Sequence, residues 1–184
     1  MKIINSLFAK RYKEKDQLSG LSAGNLTVMG MLLASSTFFN DDWKNFRNRK
    51  DKTFELMILS VIFILKKVKQ VRPLYYHEFT DDLFHQLYLF ARQEQIIQML
   101  PVDYTTFLES RLIQYNNEFS LDEEGMINLP GHFAYNLLIH PLSEESGICE
   151  NLFELMSVQE KILPFYEQLM WNIDAMISLK FPQR

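Results

Sequence analysis

Cysteine occurs once in 184 residues, at Cys149. A single thiol excludes an intrachain disulfide and any CxxC metal knuckle, and a reducing, cytoplasmic compartment is the expectation. Glycine and proline number six each, too few for a low-complexity or disordered chain. No P-loop, G-x-S-x-G or G-x-G-x-x-G spacing occurs, so the common signatures of nucleotide binding and serine hydrolysis are missing. Lys10, Arg11 and Lys13 fall where the apolar part of a signal peptide would continue, so no secretory leader is expected.

Long apolar runs are also scarce. The most apolar stretch, Leu56 to Leu65, reads LMILSVIFIL and lies between Glu55 and Lys66. A transmembrane helix needs about 20 apolar residues, and this window supplies half of that. The uncharged stretch 21–39 is longer but rich in Ser, Thr, Gly and Asn. No transmembrane span is expected.

What the chain does have is bulk and helical periodicity. It is 47% hydrophobic and 14% aromatic, enough for one well-filled core in a single domain over 1–184. Apolar residues recur every three or four positions almost throughout, and strand-like alternation is scarce. The predicted fold is all-α, a single-domain bundle of six to eight helices. Residues 54–68 would form a helix buried on every side, since a helix apolar all round must be covered all round. The C-terminal region would carry a long helix, with Ile162, Phe165, Leu169, Ile173 and Met176 as its stripe. Residues 1–19 read as an amphipathic helix peripheral to the bundle, and 40–52 as a polar linker or surface helix.

Caps and breaks are legible in places. Asp51 or Thr53 would cap the buried helix, Thr80 or Asp81 the next one (ending near Gln98), and Asp103 the third. Tyr104, Phe107, Leu108, Arg111, Leu112, Tyr115 and Phe119 form that third helix's stripe. Residues 132–140 suggest a short helix. Ser157 and Glu160 suit a capping box, and Pro164 would kink or divide the last helix.

Charge is segregated. Residues 1–72 hold fourteen Lys/Arg and six Asp/Glu, a net +8, while 73–184 hold five and seventeen, a net −12. Such asymmetry suits a protein that presents an acidic surface to a basic partner. Together with the missing catalytic motifs it supports a non-enzymatic protein-interaction or regulatory role, with a protein partner and no cofactor.

The alternative is a metal-binding bundle or metal-dependent enzyme. His77, Asp81 and His85 recur every four residues, and Asp82 stands three before His85. On a helix these would share a face, and imidazole with carboxylate suits zinc, iron or manganese. A helix's first turn favours Asp without any metal, however, and no second such motif occurs. His140 and Cys149 could pair as a nucleophile only if the fold brought them together.

Trp43, Lys44, Phe46, Arg47, Arg49 and Lys50 interleave bases with aromatics, a pattern that can bind nucleic acid. The sequence pI near 5.6 argues against that use. Residues 1–15 could instead rest on an anionic membrane surface, Ile3, Ile4, Leu7 and Phe8 facing lipid. Tyr75, Tyr76, Tyr88, Tyr104, Tyr115 and Tyr135 could line a pocket between helices or pack in the core.

Overall fold

The computed structural model describes residues 50–71, 73, 76–119, 130–143 and 147–180. The described part is all-helical. Five α-helices, α1 (Lys50–Val71), α2 (Tyr76–Gln93), α3 (Tyr104–Glu118), α4 (Gly131–Leu138) and α5 (Leu152–Lys180), are joined by a 3-10 turn at Ile96–Met99 and by loops. Five falls below the six to eight expected, among the described residues. The expected elements at 1–19 and 40–49 lie outside them.

Helix α1 is the axis. Every residue from Thr53 to Leu65 is buried, and α2, α3, α4 and α5 all pack on it. Its basic end emerges as expected: Lys66 and Lys67 are half-buried and Lys69 and Gln70 exposed. No described helix is long and apolar enough to cross a membrane.

Two aromatic clusters grip α1 at its ends. Phe54 stacks on Phe90 of α2 (6.5 Å between centroids) and on Phe107 of α3 (6.4 Å). Phe63 meets Phe119 edge-on at 5.6 Å and Tyr166 of α5 at 5.0 Å. Phe133 of α4 closes that second cluster against Phe119 and Tyr115. Each pair adds about 0.5–1.5 kcal/mol beyond its buried area.

Several boundaries differ from the sequence reading. Helix α2 starts at Tyr76, four residues before Thr80. The Thr80 hydroxyl donates back to the Tyr76 carbonyl (2.5 Å), a mid-helix use of threonine that competes with capping. The same helix stops at Gln93, because Gln95 takes a left-handed φ of 59° and the chain re-enters as a 3-10 turn. Asp103 caps α3 as expected, accepting from the Thr106 amide at 3.0 Å. Helix α5 begins at Leu152, five residues before Ser157, with Asn151 Oδ1 accepting from Phe153 N at 3.1 Å.

Pro164 stands inside α5 without dividing it. Proline lacks the N–H that would reach the Glu160 carbonyl, and its ring crowds that turn, at a cost of up to about 3 kcal/mol relative to alanine. It is exposed, so no core packing is at stake. Pro164→Ala is therefore expected to stabilise the protein by about 1–3 kcal/mol in urea denaturation. A neutral or destabilising result would mean that a helix starts at Pro164.

Helix α4 has no cap of its own: Pro130 offers no side-chain acceptor. Glu118, at the end of α3, supplies it, accepting from His132 N at 2.5 Å and Phe133 N at 2.9 Å. Burial nevertheless holds the Glu118 carboxyl above its ordinary 4.5. A carboxyl raised in the folded state binds protons more tightly than in the unfolded chain, so stability declines as pH rises from about 4.5 through the raised value. Denaturant midpoints measured across that window should show the decline, and Glu118→Gln should remove it.

Candidate functional site

The histidine and aspartate positions flagged by spacing all lie on α2, which starts early enough to include His77. His77, Asp81 and His85 are exposed along one side of the helix, and Asp82 is half-buried. Among the described residues no group of three or more His, Cys, Asp or Glu is placed to hold a metal ion.

His140 is exposed, its ring tilted against that of Tyr135 at 5.5 Å between centroids. Cys149 is buried, with its sulfur 3.4 Å from Glu154 Oε2. Burial, and more weakly the Glu154 carboxylate, raise its thiol pKa, the opposite of what a nucleophile needs. Of the basic–aromatic stretch only Lys50 is described. It begins α1 and donates to the Glu94 carbonyl at 2.9 Å. Trp43, Lys44, Phe46, Arg47, Arg49, Tyr75 and the amphipathic segment 1–15 lie outside the described residues. Of the other tyrosines, the exposed Tyr88 meets the half-buried Tyr104 edge-on at 5.3 Å, while Tyr76 and Tyr135 are half-buried and Tyr115 is buried.

The most unusual chemistry sits in the core. Glu55 of α1 and Arg111 of α3 are both buried and paired, with Arg111 Nε 3.1 Å from Glu55 Oε1 and 3.2 Å from Oε2. The Tyr115 hydroxyl donates to Glu55 Oε2 at 2.5 Å, and the Leu142 amide donates to Oε1 at 3.1 Å. Arg111 Nη2 reaches the Ser143 carbonyl at 2.6 Å, and Nη1 reaches Gln114. Asn136 of α4 donates to the Tyr115 hydroxyl at 3.1 Å. The guanidinium also lies 4.7 Å over the Phe107 ring.

A buried charge pair is tolerated only when its remaining donors and acceptors are met. Here partners come from α3 and from the turn after α4, and Asn136 of α4 supports Tyr115, although among the described residues its own buried Oδ1 has no partner. That turn is strained, since Leu142 has a φ of 60°, uncommon for a branched side chain. The Glu55 and Arg111 bonds to Leu142 and Ser143 clamp it. Tyr115 is pushed well above its ordinary pKa, first by burial and then by the Glu55 charge, so it stays a neutral donor. The network is built to lock helices together.

The second feature is on the surface. The buried face of α5 runs Leu155, Val158, Ile162, Phe165, Leu169, Ile173. The opposite ridge, at the same three-and-four spacing, should be polar on an ordinary surface helix. It is instead Phe153, Met156, Glu160, Leu163, Glu167, Trp171, all exposed. Phe153 is 84% exposed and Trp171 70%. The ridge spans eighteen steps, about 27 Å at the α-helical rise. Leu152 and Ile148 extend its apolar start.

Sequence reading recovered Ile162, Phe165, Leu169 and Ile173 of the buried stripe of α5 and missed the exposed one. The signal was present: α5 is apolar on two opposite sides, and a helix apolar all round demands a cover. Arg111 on an apolar stripe, and Glu55 between Phe54 and Leu56, were signals of the core network in the same way. Compared with protein-family models, curated proteins and solved structures, the chain matches none.

Proposed function

We propose that this chain is a non-enzymatic, cytoplasmic interaction protein whose helix α5 receives a basic, amphipathic helical segment of a partner protein. One observation carries this reading. Aromatic and aliphatic side chains line the solvent face of α5, with Glu160 and Glu167 set between them. Single exposed apolar residues are ordinary, but four large ones aligned along one helix face mark a binding face. Its spacing is that of the anchor face of an amphipathic helix.

The sign of the partner follows from charge. Helix α5 carries Glu154, Glu160, Glu167 and Asp174 against Lys161 and Lys180, and Asp174 is paired with Lys67. A partner helix with apolar anchors and lysine or arginine flanks would bury Phe153, Met156, Leu163 and Trp171 while facing the two glutamates. An acidic-flanked helix would meet repulsion there. The fold supplies a rigid platform, since α5 is anchored through its other face to α1 and α4.

Calorimetric titration of the full chain with two synthetic helical peptides tests this. They share one apolar face, and one carries lysines and the other glutamates on the polar face. The lysine peptide should bind with a Kd on the order of micromolar, weaken with added salt, and exceed the glutamate peptide at least about tenfold. Equal affinity for both, or no binding to either, would overturn the proposal.

A further inference from the structure

We infer that the cleft between the C-terminal end of α1 and helix α5 is a binding site for a small amphiphilic anion, an acidic head on a single apolar body. The cleft encloses about 400 Å³ and is lined by Phe63, Lys66, Lys67, Lys69, Gln70, Phe119, Tyr166 and Met170. That volume lies within the range of small-molecule sites, which combine an apolar lining with a few converging polar groups. Here the lining combines the aromatic Phe63, Phe119 and Tyr166 with three lysines, one of which, Lys67, is paired with Asp174.

The last turn of a helix favours lysine for its dipole alone, and this accounts for the residue type. It does not account for three lysines set around an apolar hollow. Their observed contacts leave donors over. Lys67 pairs with Asp174 at 2.8 Å across the rim. Lys66 gives one bond to the Phe119 carbonyl at 2.6 Å, where an ammonium has three to give. Lys69 lies 5.7 Å from the Tyr76 ring centroid. Burial pulls the Lys66 pKa below its ordinary 10.5, so an anion beside it would offset the desolvation of its charge.

An apolar body lies against the half-buried Tyr166 and Met170, and the head meets the lysines. Carboxylate and phosphate share this chemistry. The site is separate from the exposed ridge of α5, so either proposal can fail alone.

The full chain, with its methionine methyls carbon-13 labelled and Met170 assigned through Met170→Leu, is titrated below micelle concentrations. The probes are dodecanoate, dodecyl phosphate, dodecanol, dodecyltrimethylammonium and inorganic phosphate. The expected result is a saturable shift of the Met170 methyl with the two amphiphilic anions, at one equivalent per chain by calorimetry. The preferred of the two identifies the head group. The alcohol and the cation should bind at least tenfold more weakly, and inorganic phosphate should not move the Met170 methyl. Lys69→Glu, at an exposed position, should weaken the preferred anion about tenfold, and Lys66→Gln should do so more strongly. Equal binding of alcohol, cation and anion, or insensitivity to Lys69→Glu in a folded variant, would overturn the inference.

Discussion

Arg111→Met is expected to cost about 3–5 kcal/mol of stability in urea denaturation, because it leaves the Glu55 carboxylate buried without its counter-charge. Native domains hold only about 5–15 kcal/mol in total, so this one change removes much of the margin. The loss is one of pairing more than of packing, since methionine fills much of the arginine stem's volume. Glu55 would keep the Tyr115 hydroxyl and the Leu142 amide, two neutral donors for a full charge. Adding Glu55→Gln removes the orphaned charge, and the double variant should recover most of the loss. A single-variant loss below about 1 kcal/mol would mean that water reaches Glu55 and that the network is not the lock described above.

Phe153→Glu combined with Trp171→Glu should leave stability within about 0.5 kcal/mol of the parent, because both side chains project from the surface. The same pair should weaken the lysine-faced peptide by about 100-fold. Buried aromatic anchors commonly contribute about 2 kcal/mol or more each to an interface, and their contributions do not simply add. The added carboxylates would improve the charge match to a basic partner, so a loss of binding would identify apolar contact as the main source of affinity. Glu160→Lys with Glu167→Lys should have a smaller effect, about tenfold, confined to low salt. If the carboxylate pair at 153 and 171 binds as well as the parent, the ridge is not the docking face.

The skeleton of the fold was readable because it rests on local rules. The ten apolar residues of α1 could not span a bilayer and had to be covered, and Asp103 capped α3 through the bond its type prefers. The misreadings came from competing local bonds and, for α4, from tertiary context. Thr80 resembles a cap, but its hydroxyl turns back to Tyr76. Ser157 and Glu160 resemble a capping box, but Asn151 already starts the helix. Helix α4 is capped by Glu118 from another helix, which no local pattern encodes. Spacing put Asp81 and His85 on one helix, while the cap expected at Thr80 or Asp81 left His77 outside it; the helix starts at Tyr76 and includes His77, and convergence with residues of other helices is a matter of packing, which spacing does not report. The ridge of α5 was hidden because periodicity identifies one apolar side, and the second side showed only as an excess of apolar residues.

The central claim is that the solvent face of α5 is open and takes up a basic helix. Trp171 sits on that face, and Trp43 is the other tryptophan in the chain, so in a Trp43→Phe background the emission reports the ridge alone. The account predicts that Trp171 in the protein by itself emits as a solvated indole and is readily quenched by acrylamide. Adding the lysine-faced peptide should then shift its emission to the blue and shield it. A Trp171 already blue-shifted and shielded before any peptide is added, as it would be if the chain's own basic residues 2–17 covered the face, would contradict the claim. So would an emission that the peptide leaves unchanged.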